Sequence, residues 1–527
     1  MRYLKGNSIA GAAVIVMSSM VVSRLTGFIR ETMLSWKVGL SWVQDAYIAA
    51  FTVPDLMYAL LVGGTISAAL VPFLSGSLEK GKEKEDWKAV SSFINTVFAG
   101  MVLFCIIGII FAPVIIPIVV PGFTEESPDT KELAIRLSRI LFPSVSFIML
   151  AGICNGVLNS YKKFAAAAYG PSIYNAGCAL SIYFFADTNA ESMVRVATGV
   201  AVSAMVYFFI QLSFSLPKFR MYRFAISIHD KSYQKLVKQA IPSLMSSSIT
   251  HVNFLLSKAF VSFSAIEGSL AAFYNANTTW QLPYGIFAMG IGTAMLPALS
   301  GKFAAGANKE YKNILIKSLT SVLFFSVPSA AAFIVLRKPV VRAIFMWGGK
   351  FSENSVPMVA SILAMFSLAM ISQSIVAIMN RAFYARQDTK TPLFIGMGSV
   401  AMNFCFCMVF YRFTDLGAAG MALSYSIIST VNSILLLILL NKKMNGIQLN
   451  KLFKFFAASI PAALVMCVLL YVFEMLPVQL DTKMLQLMYL AFEIIMGAVI
   501  YIVMMILLRS EEALYFWETV KKKVKLL

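Results

Sequence analysis

The most regular feature of the sequence is a series of apolar stretches, separated by short segments rich in charge, glycine or proline. Stretches of about 18 residues or more are long enough for an α-helix to cross the hydrocarbon core of a membrane. The period-two pattern of outer-membrane strands does not occur, so we predict an all-α membrane bundle. The fourteen predicted spans are residues 9–35, 43–75, 89–120, 132–158, 166–186, 193–215, 236–263, 268–300, 313–336, 355–383, 392–411, 417–440, 452–475 and 484–508.

Composition supports this interpretation. Of 527 residues, 59% are apolar and only 13% are charged, whereas a soluble chain carries about 25% charge. Disordered, coiled-coil, collagen-like and disulfide-stapled secreted proteins are excluded. The six cysteines lie inside apolar stretches without zinc or disulfide spacing, and there are two histidines. We therefore expect neither a metal site nor a cofactor.

The excess of positive charge is +19, and its distribution between loops predicts orientation rather than nucleic-acid binding. Basic residues gather in alternate loops, as cytoplasmic loops of membrane proteins do. This pattern and the even number of spans place both termini in the cytoplasm of a multi-pass cell-membrane (inner-membrane) protein. The loop with Arg337, Lys338, Arg342 and Lys350 is the exception, because the rule would put it on the other side.

Span 2 and span 8 carry the same succession of residues. Pro54, Gly64-Thr65 and Pro72 in the first correspond to Pro283, Gly292-Thr293 and Pro297 in the second, at offsets of 229, 228 and 225 residues. Six helices separate the copies, so both enter the membrane in the same direction. Parallel repeats with helices interrupted by glycine and proline are typical of alternating-access transporters.

The repeat predicts two six-helix lobes, residues 1–230 and 231–445, around a central cavity. Residues 446–527 then hold the last two helices and a cytoplasmic tail. Pro54 and Pro283 are candidate gating positions, and the helix is expected to break or kink at Pro283. Gly63, Gly64, Gly290 and Gly292 are candidate hinges, although close helix packing is the commoner role of such glycines.

Charged residues within the first two spans indicate a functional or structural role, since an ionised side chain at the bilayer centre costs roughly 2.5–3.5 kcal/mol. Span 1 contains Arg24, Arg30 and Glu31, and span 2 contains Asp45 and Asp55. The two arginines are six residues apart, which offsets them by about 120° around the helix. One can face a cavity while the other pairs with a carboxylate. Taken together, these residues favour a water-filled cationic cavity.

The second lobe offers fewer charges. His251 and Lys258 are seven residues apart and share a helix face, and Asn277 and Thr278 precede Pro283. Lys258 either extends to the outer interface or faces inward, where it would present a cation to the first lobe. Fixed guanidinium and ammonium groups in such a cavity suit a phosphate or diphosphate.

Enzyme classes are not supported by the motifs. The sequence has no Walker loop, no HExxH motif, no Cys–His nucleophile pair and no cytoplasmic domain able to use ATP. Transport would then be driven by a gradient, the membrane potential or mass action. Spans 7 to 12 contain no acidic residue, which counts against a carboxylate site for a coupling ion in the second lobe.

Several motifs resemble the MurJ (MviN) family of the MOP transporter superfamily. The most specific is Phe383–Pro392, read Phe-Tyr-Ala-Arg-Gln-Asp-Thr-Lys-Thr-Pro, which contains Arg386 and Asp388 in a predicted cytoplasmic loop. The other matching stretches are Ser23–Glu31, Asp45–Tyr47, Phe51–Pro54, Pro121–Phe123, Leu158–Ser160, Pro283–Ser300 and Phe345–Phe351. The resemblance covers spans 1 to 12 in order.

The resemblance implies a lipid II flippase, which moves undecaprenyl-diphosphate-linked disaccharide peptide to the outer leaflet for peptidoglycan synthesis. It implies two lobes around a cationic cavity and a groove for the lipid tail at the last two helices. Arg24 and Arg30 would face the diphosphate, with Asp45 as their acidic partner. The implied partners are lipid II, membrane lipids and cell-wall synthesis proteins.

Two departures from the family leave other functions open. An arginine that many members carry after the proline of span 2 corresponds to Tyr58, and the arginine of span 8 corresponds to Ala276-Asn277-Thr278. We hypothesise that Lys258 supplies the missing second-lobe cation, with Asn277 and Thr278 also at the binding site. The alternatives are a flippase for another lipid-linked oligosaccharide, a cation-coupled multidrug exporter of the same superfamily, and a scaffold that recruits cell-wall synthases.

Overall fold

The computed structural model of the chain describes residues 9–58, 69–123, 128–264, 266–476 and 482–524. Every long regular element within these ranges is a helix. The helices are α1 (Ile9–Val38), α2 (Trp42–Tyr58), α3 (Val71–Glu79), α4 (Glu83–Val119), α5 (Pro128–Ser160), α6 (Phe164–Ala168), α7 (Gly170–Phe185), α8 (Ala190–Ser215), α9 (Lys231–Val261), α10 (Ser269–Ala304), α11 (Asn308–Val335), α12 (Arg337–Phe345), α13 (Val356–Ala385), α14 (Lys390–Phe413), α15 (Gly417–Lys443), α16 (Leu449–Glu474), α17 (Lys483–Leu507) and α18 (Glu511–Val524).

The all-α membrane fold predicted from the sequence is confirmed. Each of the fourteen predicted spans is helical over most of its described residues, and the differences lie mainly at the span ends. Two spans contain more than one helix: span 2 holds α2 and α3, and span 5 holds α6 and α7, which meet at Tyr169. Ten helices of the described ranges are long and apolar enough to cross a membrane.

The first compact unit comprises Met1–Ala271 and Gly349–Phe351. Its central helix is α5, which packs against α2, α4 and α8, while α7 packs against α1 and α8. Leu137, Leu141 and Phe142 of α5 are completely buried. The first half of α5 exposes the charged residues Glu132, Arg136 and Arg139, whereas no residue from Leu141 to Ser160 is exposed.

The second compact unit comprises Ala272–Gly348 and Ser352–Leu527. Its central helix is α13, which packs against α11 and α15, while α16 packs against α11 and α17. An aromatic cluster joins three of its helices. Trp280 of α10 stacks on Phe366 of α13 with ring centroids 6.1 Å apart, and Phe366 meets Tyr425 of α15 edge-on at 5.8 Å.

The two units use the same packing scheme, which supports the internal repeat. The fourth span (α5) packs on the sixth (α8), as the tenth (α13) packs on the twelfth (α15). Likewise α7 packs on α8 as α14 packs on α15. Helix α9 belongs to the first compact unit, whereas the repeat assigns it to the second lobe. The lobe boundary at residue 231 therefore stays a prediction.

Helix α10 continues without a break from Ser269 to Ala304 through Pro283 and Pro297. The break considered at Pro283 does not occur. A proline removes one backbone donor, and neighbouring groups in a membrane bundle can satisfy the freed carbonyl. Pro54 likewise lies buried within the continuous helix α2. Gly63 and Gly64 lie outside the described residues.

The loop that violates the charge pattern is largely the short helix α12. Its apolar residues Val340, Val341 and Phe345 are buried, while Arg342 forms an ion pair with Glu353. Arg337 donates from Nη1 to the carbonyl oxygen of Ile334 at 2.7 Å, near the end of α11. Arg337 and Arg342 thus have local structural contacts, and the orientation of this loop stays a prediction.

Candidate functional site

The arginine segment of α1 is held by an asparagine on α7. Asn175 donates from Nδ2 to the carbonyl oxygen of Ser23 at 3.3 Å and accepts from Nη1 of Arg30 at 3.2 Å. Gly27 lies between these two contacts, and a Cβ there would stand 3.3 Å from the asparagine amide nitrogen. The small residue therefore lets one amide contact both the backbone and the guanidinium of the same helix.

Arg30 is also paired with its sequence neighbour. Its Nε donates to Oε1 of Glu31 at 3.0 Å, and its Nη2 forms an ion pair with the same oxygen. The arginine side chain is 21% exposed and that of Glu31 is 9% exposed. The predicted pairing of one span 1 arginine with a carboxylate is thus realised by Arg30 and Glu31.

Arg24 has different surroundings. It is exposed, and no ion pair of its guanidinium occurs among the residues that the structure describes. The offset of about 120° between the two arginines explains this contrast, because it turns them to different sides of α1. Arg24 is therefore the arginine of this helix that is more accessible to an added anion.

Lys258 lies inside the first unit rather than at an interface. Only 3% of the residue is exposed, and Nζ donates to Oγ1 of Thr52 on α2 at 3.3 Å. Its ammonium also lies 5.1 Å from the ring centroid of Phe254. The alternative in which Lys258 extends to the outer interface is wrong for this conformation. His251, two turns earlier, is exposed.

Asp55 lies one turn after Thr52 on α2 and is exposed. Its carboxylate interacts electrostatically with Lys258 and Arg30, and with like charge at Glu31. We call Arg30, Glu31, Asp55 and Lys258, together with Arg24 on another side of α1, the α1–α2–α9 cluster. With three cations and two carboxylates, the cluster has a formal charge of +1. A phosphate group must compete with Glu31 and Asp55 for Arg30 and Lys258, whereas Arg24 has no such competitor among the described residues.

Asp45 has a structural partner. Its carboxylate accepts from the backbone N–H groups of Gly268 at 2.9 Å and Ala271 at 2.7 Å, at the start of α10. Reciprocally, Glu267 accepts from the backbone N–H of Trp42, the first residue of α2, at 2.9 Å. The backbone N–H groups at the start of each helix thus donate to a carboxylate from the other segment. A negative charge at this end also interacts favourably with the helix dipole.

The predicted polar residues of α10 make contacts within their own helix. Asn277 is 5% exposed, and its Oδ1 accepts from Nε1 of Trp280 at 3.1 Å. Thr278 donates from Oγ1 to the carbonyl oxygen of Tyr274 at 3.0 Å. These contacts do not bring Asn277 or Thr278 into the α1–α2–α9 cluster, and their role in substrate binding stays a prediction.

Sequence reasoning missed Arg381 on α13. Its Nη1 donates to the carbonyl oxygen of Ala377 at 3.1 Å, and its Nη2 lies 3.6 Å from Sδ of Met289 on α10. The aliphatic and guanidinium atoms pass over Gly292, where a Cβ would be 2.9 Å from Cδ, Nε and Cζ. The missed signal was a single cation inside a long apolar helix. Gly292 makes room for this cation, a contact that its assignment as a hinge did not anticipate.

Arg386 and Asp388 shape the turn between α13 and α14. The Arg386 guanidinium lies 5.2 Å from the ring centroid of Phe303. Asp388 accepts from the backbone N–H of Thr391 at 3.0 Å and from its hydroxyl at 2.8 Å, and forms an ion pair with Lys443. Burial raises the pKa of Asp388, but the hydrogen bonds from Lys443 and Thr391 outweigh it, so the pKa lies below its ordinary value.

Comparison with known proteins gives a consistent picture. Residues 35–492 match the family model described as lipid II flippase MurJ. A relative from Buchnera aphidicola subsp. Acyrthosiphon pisum, named probable lipid II flippase MurJ, is 29% identical over 462 residues, covering 86% of this chain and 88% of its own. The matched range begins after Arg24 and Arg30, so the two arginines lie outside it.

Solved structures show the same fold. A lipid II flippase MurJ in an inward closed conformation superposes with a TM-score of 0.77 at 23% identity, over 96% of this chain and all of its own. An inward-facing multidrug resistance transporter of the MATE family, from the MOP superfamily, gives a TM-score of 0.67 at 14% identity, over 83% of this chain and 99% of its own. At these identities the likeness concerns the fold.

Proposed function

The chain belongs to the MurJ family of lipid II flippases, and from this premise we propose that it moves lipid II from the cytoplasmic to the outer leaflet. The family model spans most of the chain, and the named relative is covered over nearly its whole length. The cationic α1–α2–α9 cluster is the observation that carries the proposal. A lipid-linked diphosphate brings anionic oxygens that need fixed cations in a weakly polar setting.

Within this proposal, Arg24 makes the first contact with the diphosphate because it is exposed. Arg30 follows, since Asn175 and Glu31 already fix its guanidinium. A preoriented guanidinium loses little freedom when it binds phosphate oxygens. Asp45 acts as a positioning residue, because its carboxylate is occupied by the first turn of α10.

Two residues are candidates for the remaining cation. Lys258 carries the positive charge that an anionic phosphate requires, but in this conformation it contacts Thr52 and is buried. Its contribution to binding would therefore require release from Asp55 and Glu31. Arg381 is the alternative in the second unit, where it is only partly buried and is held beside Gly292.

The transport cycle in this proposal is alternating access without a cofactor or chemical step. The protein is a multi-pass membrane protein with both termini in the cytoplasm, as the loop charges predict. Lipid II and membrane lipids are its ligands, and cell-wall synthesis proteins are candidate partners. A membrane potential acting on the anionic headgroup supplies about 2.3 kcal/mol per charge per 100 mV.

A multidrug resistance transporter of the MATE family shares the fold, but the cluster described above does not favour the function of a cation-coupled multidrug exporter. Such an exporter needs carboxylates that remain available for a coupling cation. Here Glu31 is paired with Arg30, and cations outnumber carboxylates in the cluster. A scaffold that recruits synthases would instead tolerate loss of the cluster cations.

The decisive experiment is depletion of the protein in cells, followed by measurement of which lipid-linked precursor accumulates and on which leaflet. We expect lipid II to accumulate on the cytoplasmic leaflet. Complementation with Arg24→Ala or Arg30→Ala should restore roughly 10- to 100-fold less outward lipid II than the wild type, the range for a lost charged hydrogen bond. Arg195→Ala, at another exposed arginine of the first unit, is the matched control.

Accumulation of a different precursor would reject lipid II as the substrate. Full complementation by both cluster variants would favour the scaffold function, because that function does not use the cluster cations.

A further inference from the structure

A cavity of about 970 Å³ lies in the second unit. It is formed by α11, α16 and the turn that joins α17 to α18. Its volume is at the upper end of the roughly 300–1,000 Å³ that is typical of small-molecule sites. Its lining combines basic side chains with an apolar floor. We call it the α11–α16 cavity.

The basic lining comes from three separate segments. Lys317 lies on α11, Lys451 and Lys454 lie on α16, and Arg509 follows the end of α17. The two α16 lysines are three residues apart, so they share a face of the helix. Within the described part of the chain, no ion pair involves Lys451, Lys454 or Arg509.

Arg509 is placed in the lining by the backbone that ends α17. It adopts a left-handed conformation with φ of +55°, and its N–H donates to the carbonyl oxygen of Ile506 at 2.9 Å. Glu511 and Glu512 also line the cavity, but Glu512 accepts from the hydroxyl of Ser510 at 2.6 Å. Four cations and two carboxylates leave a formal charge of +2.

Beside the polar residues Asn313, Thr320, Ser321 and Ser510, the remainder of the lining is apolar. It includes Phe324 and Phe325 from α11 and Phe455, Ala457 and Ala458 from α16. Phe325 is fixed by stacking on Phe287, with ring centroids 4.7 Å apart. The cavity therefore offers cations and an apolar surface side by side, which matches an amphiphilic ligand better than a free ion.

We propose that the α11–α16 cavity binds an anionic glycerophospholipid of the surrounding bilayer. The headgroup phosphate lies among Lys451, Lys454 and Arg509, and the upper part of an acyl chain lies on the phenylalanine and alanine floor. Basic pockets between membrane helices on the cytoplasmic side are suited to such headgroups, and these residues lie at the predicted cytoplasmic ends of their helices. This site is additional to the proposed transport function and does not depend on it.

The test uses the full-length protein, purified in detergent and depleted of lipid, with bound lipid counted by native mass spectrometry. We expect the wild type to bind phosphatidylglycerol in preference to phosphatidylcholine. The variant Lys451→Gln/Lys454→Gln should bind phosphatidylglycerol roughly 25-fold more weakly, at about five-fold for each cation near the membrane surface. Lys80→Gln/Lys84→Gln, at two exposed lysines of the first unit, is the matched control and should change binding less than two-fold.

Two further variants distinguish a loss of the binding site from a folding defect. Lys451→Arg/Lys454→Arg keeps the charge and should retain binding, while Ala458→Trp fills the floor and should weaken binding with every cation still present. Equal binding of the two lipids, or an equal loss in the control, would overturn the proposal. A competition experiment with undecaprenyl diphosphate distinguishes a bilayer phospholipid from the lipid-linked substrate as the ligand of the cavity. Displacement of phosphatidylglycerol by an equimolar amount would assign the cavity to the lipid-linked substrate instead.

Discussion

Lys258 of α9 and Thr52 of α2 are joined by a hydrogen bond of 3.3 Å from the lysine Nζ to the threonine Oγ1. The lysine is only 3% exposed, and Asp55 lies one helical turn beyond the threonine. An ammonium buried within a membrane protein requires compensating groups. In this conformation the hydroxyl and the nearby carboxylates provide them.

This arrangement predicts that Lys258 and Asp55 are energetically coupled. Lys258→Met should lower the free energy of unfolding by about 1–3 kcal/mol, since it removes a charged hydrogen bond and one of the two cations that interact with Asp55. Adding Asp55→Asn should restore part of that loss, as thermal unfolding of the single and double variants would measure. Strict additivity of the two losses would contradict the coupling.

Variants of Lys258 also test the hypothesis that this lysine supplies the cation missing from the second lobe. If Lys258 binds the diphosphate, Lys258→Ala should lower flipping and Lys258→Arg should retain most of it, because the charge persists. Reconstituted flipping of lipid II is the measurement. Wild-type flipping by the alanine variant would end this hypothesis and favour Arg381.

The contact between α2 and the start of α10 predicts a difference between two glycines. Gly268 and Gly306 both have positive φ, +78° and +67°, but a Cβ would lie 2.6 Å from Leu40 Cβ at Gly268 and would meet nothing within 4 Å at Gly306. Gly306→Ala should cost about 1–2 kcal/mol from backbone strain. Gly268→Ala should cost about 1–3 kcal/mol more from overpacking. Equal melting temperatures of the two variants would contradict this difference.

Gly290 and Gly292 separate the hinge interpretation from the packing interpretation. A Cβ at Gly290 meets nothing within 4 Å, whereas one at Gly292 would collide with the Arg381 side chain. Gly290→Ala should therefore flip lipid II like the wild type, and Gly292→Ala should be impaired because Arg381 is displaced. The double variant Gly292→Ala/Arg381→Ala should be no worse than Arg381→Ala alone. Equal impairment by the two glycine variants would instead support hinges.

The α13–α14 turn predicts a pH dependence of stability. Because the pKa of Asp388 lies below its ordinary value, its ionised form stabilises the fold above the unfolded pKa of roughly 3.9, and this stability is lost as pH falls through the folded pKa. Asp388→Asn should thus lower the melting temperature at pH 7, by an amount matching about 0.5–1 kcal/mol for a partly exposed pair. The difference should shrink as the pH falls below the unfolded pKa and through the lower folded pKa. A constant difference would point to the Thr391 hydrogen bonds rather than to charge.

Much of the fold follows from the sequence because each span carries its own hydrophobic signal. Every predicted span contains helix in its described residues, and ten described helices are long and apolar enough to cross a membrane. The Pro54 and Pro283 patterns indicated a repeat that the packing of α5 and α13 supports. Proline was a poor guide to where helices end, since α10 passes through Pro283. Local sequence does not show whether neighbouring helices can satisfy a freed carbonyl.

The candidate site was only partly predictable for a similar reason. The sequence identified Arg24, Arg30 and Lys258 as cations whose insertion into a membrane costs free energy, which indicated a functional or structural role for them. It could not specify that Arg30 is fixed by Asn175, 145 residues away.

The sequence by itself determined the membrane class, the helical architecture, the repeat and the presence of cations in the first spans. Only the tertiary structure decided which cations are paired, that Asp45 accepts hydrogen bonds from the start of α10, and that Gly292 leaves space for the side chain of Arg381. The physical reason is the range of the interactions. Hydrophobic burial and helix formation depend on neighbouring residues, whereas the partner of a buried charge or the space beside a glycine comes from distant segments of the chain.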